Sequence, residues 1–263
     1  MGLGPVWRLR GESAAAETEE AVQAAVAVAE PESRVPSPEQ PPPRPRPVRP
    51  QPIAAPAAAA APRPALPAIP PERAATIAQM DWPALKSAVG GCTACGLSRS
   101  RRKTVFGVGD ENADWMIVGE APGAEEDAQG EPFVGQAGKL LDAMLDAIGL
   151  ERGKNVYIAN VLKCRPPSNR NPEPMEVAQC SPHLLRQLEL IQPKLILAMG
   201  RFAAQTLLNT DATIASLRGR VHSWHGRPLI VTYHPAYLLR TLPDKAMAWE
   251  DLCLARATLA ATS

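Results

Sequence analysis

The chain predicts an α/β fold, a three-layer sandwich whose central sheet is four-stranded and mostly parallel. Short unbroken apolar runs such as "MIV" and "LILAM" are the size of strands buried on both faces. Longer stretches of helical period alternate with them, the order that produces a parallel sheet with helices on each side. The residues of unusual chemistry fall in the loops just after the apolar runs, where open parallel sheets form their sites.

"DWMIVGE" (114–120) predicts a first strand that runs into a glycine-rich loop. "GQAGKLLDAMLDAIGL" predicts a helix with Leu140, Leu141, Met144, Leu145 and Ile148 on one face and Gly149 near its end. "NVYIANVLK" (155–163) is the next strand, and "PMEVAQCSPHLLRQLELI" a helix. "KLILAMG" and "RFAAQTLL" form a strand–helix pair. "RPLIVTYHP" is the last strand, and "KAMAWEDLCLARATLA" closes the chain as an amphipathic helix with Cys253 on its apolar face. His222 and His225, in "RGRVHSWHGRP", read as surface turn residues.

The first 74 residues form a separate arm. A short helix is expected within residues 1–30. From 31 to about 73 the chain is rich in Pro, Ala and Arg, and 17 of the 29 prolines lie in the first 71 residues. Such a segment buries too little apolar surface to offset its ordering entropy, so it is expected to be an extended tether, a plain spacer or an arm toward a partner. The folded domain is expected over 75–263. With a formal net charge of +1, no global field draws the chain to nucleic acid, so any such binding rests on local basic patches. No stretch approaches the roughly 18 apolar residues of a membrane-crossing helix, and the opening residues lack the plan of a signal peptide. A cytoplasmic monomer is expected. In that reducing setting, clustered cysteines point to metal or catalysis rather than disulfides.

Cys92 and Cys95 form a C-x2-C pair, and Cys164 and Cys180 follow in "KCRPPSNRNPEPMEVAQC". Four thiolates from two loops suit a tetrahedral zinc or a four-iron cluster, and the spacing leaves the two open beside plain buried thiols. "GEAPGAEEDAQGEPFVGQAG" (119–138) carries Glu120, Glu125, Glu126 and Asp127, acids that argue against a phosphate cradle. Phe133, in the same loop, is either a core residue or a stacking platform for a planar ligand. Asn160, at a strand end, offers a donor and an acceptor suited to a base edge. His234 precedes Pro235 and is held extended at the mouth of the sheet. Tyr237, Leu238, Leu239 and Arg240 share a short turn suited to wedging into a DNA groove.

Taken in order, "CTACGLSRSR", the 119–138 loop, "NVLKCRPPSNRNPEP", Cys180, "GRFAAQTLL" and "YHPAYLLR" resemble the family-4 uracil-DNA glycosylases, the type that carries an iron–sulfur cluster. The resemblance covers about residues 78–257 and leaves the arm outside. It implies the uracil-glycosylase sandwich and a [4Fe-4S] cluster on Cys92, Cys95, Cys164 and Cys180. The substrate would be uracil-containing DNA, with the protein at the nucleoid through that DNA. Uracil would be flipped into a pocket. There it would meet the Gly119–Glu120–Ala121 backbone, the face of Phe133 and the amide of Asn160. His234 would donate to O2 of the leaving base. Glu120 would position the water or stabilise the cationic sugar, and Glu126 would crowd C5 against thymine. Arg165, Arg170, Tyr237, Leu238 and Arg240 would contact DNA, with Arg101, Arg102 and Lys103 nearby. Glu120, absent from family-5 relatives, and the lack of an Arg/His-rich insertion imply free uracil as product. A non-catalytic iron–sulfur DNA-binding module and an electron carrier are the other classes. The former leaves Glu120, Asn160 and His234 without purpose, the latter the acidic glycine-rich loop.

Overall fold

The computed structural model describes residues 66–262. The helix expected within 1–30 and most of the tether expected over 31–73 lie outside the described residues. The tether's expected end is structured: "PER" opens helix α1 (Pro71–Ala78), with proline at the helix start where its missing N–H costs nothing. Helix α2 (Trp82–Gly90) follows, capped by Asp81, whose carboxylate accepts from Ala84 N–H at 2.9 Å.

The sheet has six strands: β1 (Val108–Gly109), β2 (Trp115–Gly119), β3 (Val156–Asn160), β4 (Leu195–Met199), β5 (Val221–Trp224) and β6 (Arg227–Thr232), in the order β1-β3-β2-β4-β6-β5. The four expected strands form the parallel centre β3-β2-β4-β6. Two antiparallel edge strands extend it beyond the expected four. β1 is too short to show a period, and β5 alternates exposed and half-buried residues rather than forming an apolar run. His222 therefore sits in a strand, and its Nε2 lies 2.6 Å from Leu217 O. His225 is in the turn, as expected.

Between and after the strands lie α3 (Ala124–Gln129), α4 (Gln136–Asp146), α5 (Pro174–Ile191), α6 (Arg201–Leu208), α7 (Ile214–Leu217), α8 (Pro235–Leu238) and α9 (Lys245–Thr262). Successive side chains of each central strand point to opposite faces. Met116, Val118, Ala159 and Ile196 pack with Leu184 and Leu188 of α5 and Ala203 of α6. Trp115, Ile117, Ile158 and Leu197 pack on the other face with Leu141 and Leu145 of α4 and Leu252 of α9. The expected three layers are present. Among the described residues no helix is long and apolar enough to cross a membrane.

Helix α9 departs from expectation in one respect. Its buried positions are Ala248, Asp251, Leu252 and Ala255, a helical stripe that leaves Cys253 exposed rather than in the core. Asp251 is inside the stripe because Arg218 reaches it, with Nε 3.0 Å from Oδ2, while Gly219 N–H donates to Oδ1 at 3.1 Å. The guanidinium also donates to the Met247 carbonyl and lies 5.7 Å from the Tyr233 ring centroid, next to the last strand. Removing Asp251 leaves the guanidinium with only the exposed Glu250 carboxylate, at 3.2 Å, and leaves Gly219 N–H without its acceptor. Asp251→Ala is therefore expected to cost about 3 kcal/mol and to lower the melting temperature by roughly 6–12 °C, measured by thermal unfolding against wild type.

Candidate active site

The site is built where the central strands end. Parallel pairing sets Gly119 opposite Asn160 at the carboxyl ends of β2 and β3, and the chain continues in step, with Val161 N–H donating to Gly119 O at 3.0 Å and Leu162 N–H to Glu120 O at 3.0 Å. A Cβ on Gly119 would overlap Asn160 Oδ1 and stand 2.7 Å from Phe133 Cζ. Glycine at this position is thus what lets the amide and the ring converge on the strand end. Asn160 is 2 % exposed, and its Oδ1 has no hydrogen-bond partner. A buried acceptor left unmade costs about 1–3 kcal/mol, so this oxygen is prepared for a donor from a ligand.

The ring of Phe133 is buried, and its centroid lies 5.4 Å from that of His234, with the planes 27° apart. Phe133 has φ +55°, a left-handed conformation unusual for an aromatic residue, and its carbonyl is pressed so closely on α4 that a Cβ at Gly138 would overlap it. The loop ahead of it is held by Glu126. One carboxylate oxygen accepts from Gly123 N–H at 3.0 Å, the other from Val134 and Gly135 N–H at 3.1 and 3.2 Å. Both oxygens of Glu126, the residue expected to crowd C5 of the base, are thus held by the backbone of the loop, which fixes where the carboxylate stands.

His234 follows β6 and starts the one-turn helix α8. Its Nδ1 accepts from Ala236 N–H at 3.1 Å, so the neutral ring carries its proton on Nε2. Desolvation lowers its pKa to about 4. Glu126 opposes this shift and Arg240 adds to it. Gly200, at φ +89°, closes the opposite side, where a Cβ would meet His234 Cβ at 2.8 Å. Burial raises the pKa of the Glu120 carboxyl, and Arg201 at the start of α6 counters part of that. Gly200 and Arg201 were not singled out in the sequence. Their signals were position, directly after the "LILAM" strand, and their place at the head of the "GRFAAQTLL" motif.

The four cysteines stand together. Cys92, Cys95, Cys164 and Cys180 line one small pocket with Arg101, Lys163 and His183. Donors aim at the sulfurs: Lys163 N–H at 3.3 Å from Cys180 Sγ, Arg101 Nη1 at 3.2 Å from Cys164 Sγ and Arg73 Nη2 at 3.6 Å from Cys92 Sγ. Burial pushes the Cys180 thiol up to about 12 and the Cys164 and Cys95 thiols upward too, so cationic compensation is needed before these groups ionise. Among the described residues no His, Cys, Asp or Glu side chains are gathered in threes as around a single ion. The thiols are spread around the pocket wall instead. A soft, all-sulfur donor set with N–H groups directed at it fits a multi-atom iron–sulfur group.

The expected DNA contacts divide. Leu238 is 1 % exposed and packs in the core, because α8 makes a single turn and turns this residue inward. It cannot reach DNA, and the exposed leucines here are Leu239 and Leu242. Arg101 is spent on Cys92 O at 2.7 Å and on the Cys164 sulfur, not on a surface patch. Arg170 is forked onto Glu176 at 2.9 and 2.6 Å. Arg165 donates to Asn169 Oδ1 at 2.7 Å, Tyr237 OH to Asp244 at 2.6 Å and Arg240 to Ala236 O at 2.8 Å, with Arg240 exposed.

Residues 106–253 match the model of the uracil DNA glycosylase superfamily. The chain is 50 % identical over 156 residues to the type-4 uracil-DNA glycosylase of Archaeoglobus fulgidus, covering 56 % of this chain and 78 % of that protein. It is 46 % identical over 151 residues to the type-4 enzyme of Thermotoga maritima, covering 57 % and 78 %. With that of Pyrobaculum aerophilum it shares 42 % over 183 residues, covering 66 % and 93 %. With its sheet, its strand-end site and these likenesses in agreement, the chain belongs to the uracil DNA glycosylase superfamily, on the type-4 branch.

Proposed function

We propose that this chain removes uracil from DNA, hydrolysing the N-glycosidic bond of a flipped-out deoxyuridine and leaving an abasic site for base-excision repair. The observation that carries the reading is the convergence of Gly119, Phe133, the partnerless Asn160 Oδ1 and the Nε2–H tautomer of His234 at the strand ends. Uracil N3–H is a donor that Asn160 Oδ1 lacks. Phe133 offers a face for stacking, worth about 1–3 kcal/mol. As the bond breaks, negative charge grows on uracil O2, and a preorganised Nε2–H donor there contributes on the order of 3 kcal/mol. Glu120, its basicity raised by burial, orients the attacking water or faces the developing sugar cation. Glu126, held in place by the loop it clips, crowds C5 of the base against thymine.

Cys92, Cys95, Cys164 and Cys180 hold one [4Fe-4S] cluster, which supplies cross-linking rather than a reaction step. It ties the segment after Asn160 to the loop after α2. The glycosylase domain includes α1, whose Arg73 donates to the Cys92 sulfur, so its start lies ahead of the expected residue 75, and the protein works as a monomer at the nucleoid.

The deciding experiment is uracil release from an oligonucleotide with a single deoxyuridine, followed by alkaline cleavage. Wild type should cleave, and His234→Ala should be slower by about 100-fold or more. A folded, iron-loaded, DNA-binding wild type that leaves uracil in place would instead support a binding module. The pH dependence checks the same residue. His234 titrates lower in the fold than its ordinary value of 6.5, so its stabilising contribution is complete above pH 6.5 and is lost as pH falls toward about 4. Between those values wild-type melting temperature should fall more steeply than that of His234→Gln, and excision should show no His234-dependent loss near pH 6.5.

Leu239, not Leu238, is the wedge that enters the duplex. Leu239→Ala should slow excision from duplex DNA roughly tenfold, a share of the few kcal/mol that flipping requires, with single strands spared and stability unchanged. Leu238→Ala should instead cost about 3 kcal/mol of stability. The reverse pattern would reject this assignment. For the cluster, Cys164→Ser should lower both bound iron and melting temperature. A variant without iron that melts and excises like wild type would remove the cross-linking role.

A further inference from the structure

We propose that Arg152 is a positioning residue that holds the stacking ring of Phe133 from behind. The inference rests on the reading above that Phe133 stacks on uracil. Arg152 lies in the connection between α4 and β3. Its Nη1 donates to Pro132 O at 3.1 Å and its Nη2 to Phe133 O at 2.8 Å, one guanidinium bridging two successive carbonyls. Its Nε donates to Asp142 Oδ1 of α4 at 2.8 Å, which fixes the plane of the fork. These contacts are all to backbone or to α4, and none is to the ring.

The segment they hold is the strained one. Phe133 sits at φ +55°, where an L-residue with a bulky side chain rarely stays unless its surroundings impose it. The surroundings act from both sides. Arg152 takes the carbonyls of 132 and 133, while Glu126 takes the N–H groups of 134 and 135 at 3.1 and 3.2 Å. A cation thus grips the acceptors and an anion the donors of one four-residue turn, and Gly138 lets that turn seat on α4. Arginine is required at 152 because a lysine, a point charge without a planar fork, can satisfy one carbonyl well but not both in this geometry. Without the fork the left-handed residue relaxes, and the ring leaves the orientation that faces a base beside Asn160. Small misplacements of a positioning group are known to cost up to two orders of magnitude in rate.

The test uses full-length, cluster-loaded protein and four chains: wild type, Arg152→Ala, Arg152→Lys and Phe133→Ala. Single-turnover excision, inhibition by free uracil and affinity for a duplex carrying an abasic site are measured for each. Arg152→Ala should lose about 10–100-fold in single-turnover rate and bind free uracil correspondingly more weakly. Its affinity for abasic duplex, which has no base to stack, should stay within about twofold. Arg152→Lys should fall between, and millimolar guanidinium should restore Arg152→Ala in part but not Phe133→Ala. Wild-type excision by Arg152→Ala with slow Phe133→Ala overturns the inference and leaves the stacking reading standing. Wild-type excision by Phe133→Ala overturns both. Parallel loss of rate, uracil binding and abasic-duplex affinity in Arg152→Ala marks a structural role only and also overturns it. If Arg152→Ala does not fold, the same readouts on Arg152→Lys decide.

Discussion

The constraint on which both sites depend is the buried run from Asn160 to Cys164. It leaves the end of β3 as pocket wall and, four residues later, becomes cysteine wall. Lys163 is 1 % exposed, yet among the described residues no carboxylate pairs with it. Its ammonium donates to Asn160 O at 2.9 Å and to Gln187 Oε1 at 2.7 Å, its backbone N–H to the Cys180 sulfur, and its carbonyl accepts from Val105 N–H at 2.8 Å. Desolvation lowers its pKa to about 8, and the neighbouring Cys180 and Cys164 sulfurs oppose that shift. A lone buried ammonium is costly unless negative charge stands close by, and the neighbouring sulfurs, once ionised, would be such charge. The cysteine pocket and Asn160 are therefore joined in one network through Lys163.

The same economy governs His234. Full charge at this position would require hydration that the sheet excludes, so the ring stays neutral and the Ala236 N–H decides which nitrogen keeps the proton. A neutral donor is also the better match to a base that leaves as an anion. It lowers the energy of the growing charge without binding neutral uracil as an ion pair would, so the interaction strengthens mainly in the transition state. Glu120 is perturbed in the opposite direction by the same cause, burial, and remains the more basic for it.

Much of this was legible in the sequence. The four central strands and the long helices α4, α5 and α9 follow apolar periods, and burial enforces such periods. Gly119, Asn160 and His234 stood out because each ends or follows a strand, and Phe133 because it sits in a polar, glycine-rich loop. What escaped depends on partners far away in the chain. Asp251 and Arg218 are 33 residues apart, so their pairing has no local signature. The edge strands lack an apolar run. Cys253 sits one position off the buried stripe of α9, and Leu238 one position inside the exposed side of α8, single-residue distinctions that an amphipathic pattern of one or two turns cannot resolve.

The misplaced leucine also shows how a rigid pocket and a DNA-facing surface share one short turn. Leu238 anchors α8 to the core, while Tyr237 is fixed by stacking on Tyr233 at 5.1 Å and by its bond to Asp244. With those two side chains held, the turn cannot swing, and His234 at its start keeps its place against Gly200. Leu239 and Arg240, the next two residues, are left exposed by the same geometry. A wedge pushed into a duplex transmits load to its base. Here that base is a buried leucine and a paired tyrosine, so a load on Leu239 would be borne by the core rather than by the imidazole of His234.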